Sequence, residues 1–252
     1  MNRFVSIISF GFATAGFTYM FKNDVIFSCC IGVIASLIFS IGLYVQSKAS
    51  YFWNTKLNRI IYYLSRNDSE YNIVSKEFSY TCINDKEYKC KKHITIYPTR
   101  NDVDRISERF AWSARSSNAK IIPLKNEHEI KDIRQQELWT CYSVYFNHTC
   151  QKHKEYETGS AIENLIDEHG EAVPFLSATV ERKTKTLVMY VKFENKSVSP
   201  VATFKVFTPK CMTKELHSEE LAYDNIVKGF KCVVNFPRPN WKYVISWEYK
   251  NS

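Results

Sequence analysis

Hydrophobic and polar positions divide the chain at about residue 47. Before it lie two apolar stretches, 4–21 and 25–45, separated only by Lys22, Asn23 and Asp24. As helices they would be about 27 Å and about 31 Å long, against a hydrocarbon core of about 30 Å. The pattern predicts a two-helix transmembrane hairpin over 1–47. A signal peptide led by Arg3 and followed by one span is an alternative, as is a buried hairpin in a soluble fold. No small-x-small cleavage site followed by a polar mature start is present, and Phe17, Tyr19, Met20 and Phe21 fill the place where one would fall.

After the hairpin the period changes. In 48–66, Phe52, Trp53, Leu57, Ile60, Ile61 and Leu64 recur at helical spacing. This predicts a juxtamembrane amphipathic helix, with Trp53, Lys56 and Arg59 at the membrane interface. Residues 70–252 read as strands: 73–82, 93–97, 105–112, a short one at Ile121, Ile122 and Leu124, then 139–146, 187–193, 202–207, 225–236 and 242–249. The charged segment 151–170 reads as a helix or loop around 161–166. In the closing hairpin-like unit, Val233, Phe236, Tyr243, Ile245 and Trp247 are expected to line one buried surface. The expected fold is therefore membrane-anchored and mainly β, with an Ig-like β-sandwich or barrel as a cytoplasmic domain.

Charge sets the expected orientation. Lys48, Lys56, Arg59 and Arg66 follow the second stretch with no acid until Asp68, while the turn holds only Lys22 against Asp24. The positive-inside rule then places both termini in the cytoplasm of a two-span inner-membrane protein. Gly11, Ala15 and Gly16 on the first stretch, and Gly32, Ser36 and Ser40 on the second, form small-residue stripes. These suit either packing of the two helices on each other or homo-oligomerisation. No ionisable group lies inside either stretch, which argues against a built-in ion pathway.

The formal charge is +8, nearly all of it after residue 47. Attraction to anionic lipid explains it, and nucleic-acid binding is a second reading, although Lys183, Lys185, Lys205 and Lys210 are scattered. Of seven glycines, Gly159, Gly170 and Gly229 alone lie beyond the hairpin. Glycine-rich phosphate loops are thereby excluded.

The chain has eight cysteines. Cys82 with Cys90 and Cys141 with Cys150 have pairable spacings, and Asn67, Asn147 and Asn195 begin glycosylation sequons. Both features would suit an extracytoplasmic domain, whereas the charge rule favours reduced thiols in the cytoplasm. His148, Cys150 and His153, with Cys141 upstream, resemble half of a zinc knuckle, but the second half is missing. Cys141 or Cys150 with His148 or His169 is conceivable as a dyad, with nothing to join them in space. Asp167, Glu168, His169 and Glu171 read as a solvated turn. No enzyme activity, metal, cofactor or small-molecule substrate is expected.

The layout of a short hairpin, a juxtamembrane helix and a β-rich domain resembles two-transmembrane effectors of bacterial anti-phage systems, of the retron, CBASS or CRISPR-ancillary type. The stretch NFPRPNWKYVISWEY is similar to the closing strands of Ig-like domains in such proteins. The resemblance implies an antiviral-defence toxin that permeabilises the inner membrane. Its β-domain would be held by a regulator, either a reverse transcriptase–nucleic-acid complex or a cyclic nucleotide. The alternative is a membrane-tethered scaffold whose β-sandwich binds a protein or nucleotide ligand.

Overall fold

The computed structural model describes Thr14 and residues 25–64, 69–114, 119–195, 197–209 and 211–249. The chain divides into two compact units, Met1–Leu57 and Asn58–Ser252. Helix α1 spans Val25–Leu64. Thirteen strands follow among the described residues: β1 (Tyr71–Cys82), β2 (Glu87–Pro98), β3 (Val103–Phe110), β4 (Lys120–Pro123), β5 (Glu129–Gln136), β6 (Trp139–Cys150), β7 (Tyr156–Ile166), β8 (Phe175–Thr179), β9 (Thr184–Phe193), β10 (Val201–Thr208), β11 (Cys211–Ala222), β12 (Gly229–Asn235) and β13 (Lys242–Ser246).

The expected transmembrane hairpin is corrected. The second apolar stretch does not close at Val45 but continues as one helix to Leu64, absorbing the supposed juxtamembrane helix. Among the described residues no helix is long and apolar enough to cross a membrane. The two-span inner-membrane localisation, and the orientation argued from it, fall with the hairpin. The first stretch, with Gly11 and Ala15, lies outside the described residues apart from Thr14.

The mainly β expectation holds, in a sandwich-like form richer than an Ig domain. A six-stranded sheet has the order β12-β9-β1-β2-β7-β4, a four-stranded sheet β11-β10-β13-β8 and a three-stranded sheet β3-β6-β5. β1 and β9 run parallel. The long strands β1 and β2 organise the rest. One face of β1 carries Tyr71, Ile73, Lys76, Phe78, Tyr80 and Cys82, all buried. A bulge between Ile73 and Ser75 keeps this set in phase, because the extra residue is absorbed without turning Lys76 outward. β2 matches it with Tyr88, Cys90, Lys92, Ile94 and Ile96.

Two cores form on this face. Phe78, Tyr80 and Cys82 pack with Leu176, Phe204 and Ile245 of the four-stranded sheet and with Trp247 just after β13. Ile73, Ile94 and Ile96 pack with Ile106, Tyr142 and Val144 of the three-stranded sheet. The small sheets thus sit at opposite ends of β1 and β2, and the middle of the face lies between them.

Several local expectations change. Residues 161–166 belong to strand β7 rather than a helix, since β7 lies between β2 and β4 and is buried on both faces near Thr158–Ile162. Burial on two faces removes the alternation that marks a strand. β12 and β13 do not form a hairpin: β12 pairs with β9, whereas β13 pairs with β10 and β8. Tyr243, Ile245 and Trp247 are buried, but Val233 is 48% exposed.

Asp167 is buried, not solvated. It accepts hydrogen bonds from the Glu171 and Ala172 amides, each at 2.9 Å. Burial raises its pKa, but backbone amides from His169 to Ala172 outweigh it and hold the carboxyl below its usual range. A depressed folded pKa stabilises above the unfolded value of about 3.9 and is lost as pH falls through the folded value. Asp167→Ala is expected to cost about 1–3 kcal/mol at pH 7, and less than that at pH 2, in denaturant titrations.

The seven described cysteines carry no disulfide. Cys82 faces Tyr88 and Cys90 faces Tyr80 across β1 and β2, so the two thiols are offset along the ladder. The melting temperature is expected to be unchanged by reductant, as measured by differential scanning fluorimetry with and without a thiol reagent.

Candidate functional site: a basic cleft with a buried lysine–glutamate–lysine floor

The uncovered middle of the β1–β2 face is the floor of a cleft of about 1180 Å³. β3 and β6 form one wall, and β8 with the β8–β9 turn forms the other. The floor carries Lys76 and Lys92, at inward positions that alternation otherwise fills with apolar groups. Glu108 on β3 reaches both. Its Oε1 lies 2.6 Å from Lys76 Nζ and its Oε2 3.2 Å from Lys92 Nζ. The side chains of Lys76, Lys92 and Glu108 are 11%, 3% and 8% exposed. Lys92 also donates to the Arg109 carbonyl.

One carboxylate shared by two ammonium groups leaves an excess positive charge. The titration directions express this imbalance. Burial raises the Glu108 pKa, but Lys76 and Lys92 outweigh it, so the carboxyl is held below its usual range. Burial lowers the Lys76 pKa, and the Lys92 charge adds to it against the attraction of Glu108. Glu108 is saturated with partners, whereas Lys76 is under-compensated.

The walls continue the charge. Arg109 pairs with Glu181 at 2.6 Å and lies 4.3 Å over the Trp139 ring. Arg182 lies 4.4 Å over Tyr71. Arg105, Arg134 and Lys242 complete the lining cations, against Glu108, Asp132 and Glu181. The rim is apolar, with Leu138 81% exposed and Val173 and Phe175 also open to solvent.

Of the residues singled out from sequence, Cys90 and Cys141 line this cleft, whereas the described helix-packing and membrane-interface candidates do not. Gly32 is buried and accepts a hydrogen bond from Ser36 Oγ within α1 at 2.9 Å. Ser40 and Trp53 are on the same helix, and Lys56 is exposed. Arg59 lies 5.9 Å over the Phe236 ring, beside Asn58, which accepts from Arg238. The supposed metal cluster is dispersed. Cys141 donates to Gln136, Cys150 is buried with its thiol pushed up to about 11 by burial, and His153 contacts Tyr97. No cluster able to hold a metal occurs among the described residues.

A signal for the cleft was present in the strands. Lys76 is in phase with Phe78, Tyr80 and Cys82, Lys92 with Cys90, Ile94 and Ile96, and Glu108 with Ile106 and Phe110. Charges on an otherwise apolar strand face mark a buried polar site.

No family model and no curated protein matches the chain. Among solved structures it is similar to an M1 zinc metallopeptidase from Deinococcus radiodurans, at 10% identity and a TM-score of 0.36 over 72% of this chain and 43% of that one. A mutant of that peptidase bound to a Tyr-Ser-Ala substrate gives 11% identity and a TM-score of 0.35, over 70% of this chain and 42% of the other. The chain therefore spans less than half the length of these structures. A likeness this low fixes neither the fold family nor the activity.

Proposed function

We propose that this protein is a binding module for an anionic ligand held in the cleft between the three sheets. The observation that carries this reading is the floor, where two buried lysines share a single carboxylate. An excess charge in a low-dielectric site is costly unless a counter-charge arrives or a lysine gives up its proton, and the lowered Lys76 pKa reflects that cost. Wall arginines held by aromatic rings and by Glu181 are already placed, so little side-chain entropy is lost on binding. The membrane-permeabilising half of the anti-phage reading has no span to act through among the described residues and is not part of the proposal. Its sensing half is compatible with this cleft, as is the scaffold reading without the membrane tether.

The test is calorimetric titration with two anionic probes, ATP and a glutamate-rich peptide, at low and high salt. At least one is expected to bind, with affinity falling steeply as salt rises. Arg182→Glu is expected to weaken binding about tenfold or more, with little change in melting temperature, because Arg182 sits on a partly exposed turn. Failure of both probes to bind below about 1 mM, the weak end of specific recognition, would sink the proposal.

A further inference from the structure

We infer that the anionic ligand is an extended acidic polypeptide segment that pairs with the open edge of β8. The inference rests on the anion-binding reading above and names its ligand class.

β8 is the last strand of the four-stranded sheet and pairs with β13 on one side alone. The register settles which backbone groups remain. Val180 donates its amide to the Trp241 carbonyl, and Trp247 donates to the Pro174 carbonyl. In an antiparallel ladder the hydrogen-bonded pairs alternate, so Leu176 and Ala178 turn their backbone groups to β13. Phe175, Ser177 and Thr179 turn theirs the other way. The Phe175 amide is used by the Val173 carbonyl. Ser177 and Thr179 are left with amides and carbonyls on the open edge, and both residues line the cleft. An edge of this kind is a template for a further strand.

The opposite wall does not offer the same opening. β3 is also an edge strand, but its backbone is covered at Ser107 by Tyr71 and at Arg109 by Lys92.

Charge complementarity selects an acidic occupant. An added strand presents side chains at period two, one set toward the floor and one outward. Acidic groups of the inward set would meet Lys76, Arg109 and Arg182 along the cleft. Apolar groups of the outward set would meet Val173 and Phe175 at the rim. The same observations disfavour a nucleotide. The Trp139 and Tyr71 rings are already covered by Arg109 and Arg182 rather than left open for a base. The cations are strung along the cleft, and no glycine-rich phosphate loop accompanies them.

The decisive experiment compares a short labelled peptide of alternating Glu and Val with ATP, on the wild-type chain and on Ser177→Pro. The proline removes one outward amide and leaves the β13 ladder intact, and edge strands tolerate it. Circular dichroism and melting temperature confirm that the variant folds. The peptide is expected to bind the wild type, and Ser177→Pro is expected to weaken it about tenfold or more. A second, independent readout is the peptide N-methylated at alternate residues: one register should lose binding and the other keep it. Equal peptide binding by wild type and a folded Ser177→Pro, with both N-methyl registers retained, would overturn strand pairing and leave the anion reading standing. Binding of ATP without the peptide would overturn the inference in favour of a nucleotide. Binding of neither would remove the cleft's anion function itself.

Discussion

Glu108→Leu is expected to lower the melting temperature by about 6–20 °C. The substitution leaves two buried lysines with no carboxylate, and breaking a buried ion pair by removing one partner costs about 3–5 kcal/mol. For a unit of this size each kcal/mol corresponds to about 2–4 °C. The triple variant Lys76→Met, Lys92→Met, Glu108→Leu separates charge from packing. It replaces the whole cluster with apolar groups of similar volume, which is commonly neutral or stabilising. Its melting temperature is therefore expected to return to the wild-type value or above, while anion binding in the cleft is lost. A stable single variant in thermal unfolding would mean that Glu108 is not the counter-ion the geometry makes it. A triple variant that still binds would mean that the walls alone hold the ligand.

The second large effect is expected at Gly159. This residue sits on β7 opposite His93 of β2. A Cβ built there would lie 2.0 Å from the Lys92 carbonyl oxygen and 2.8 Å from Leu124 Cδ1. The first obstacle is backbone of a central strand, so it cannot move aside as a flexible side chain would. Gly159→Ala is expected to cost about 3 kcal/mol or more, through overpacking and local loss of the β2–β7 ladder. Because β2 carries Lys92, residual folded protein should also bind anions more weakly. Gly170→Ala is the control. Gly170 has a φ of 72° with nothing within 4 Å of the added carbon. There only left-handed strain remains, about 1–2 kcal/mol. Equal losses for the two variants in urea titrations would show that close approach at Gly159 is not what constrains that position.

The strands that were legible and those that were not differ in a physical way. β1, β9 and β10 each bury one face, so they alternate and were readable. β7 is central and buried on both faces, so its period vanished into an apparent helix or loop. β5, an edge strand with almost every residue exposed, reads as polar chain. The membrane reading failed differently. An apolar run measures local hydropathy alone, and among the described residues no helix is long and apolar enough to cross a membrane.

The sequence by itself determined that the chain after residue 69 is mainly β and that it cannot build a glycine-rich phosphate loop. Both are local properties, set by side-chain alternation and by residue supply. It also carried the three inward-phased charges, Lys76, Lys92 and Glu108, although alternation alone does not say that they meet. Only the tertiary structure decided that. The β1 bulge keeps Lys76 on the core face, the β1–β2 register sets it diagonally from Lys92, and β3 of a separate sheet brings Glu108 between them. The two small sheets cap the ends of that face and leave its middle open, because neither is wide enough to cover the full length of β1 and β2. A long-range gap of this kind has no period along the chain, so no local pattern reports it.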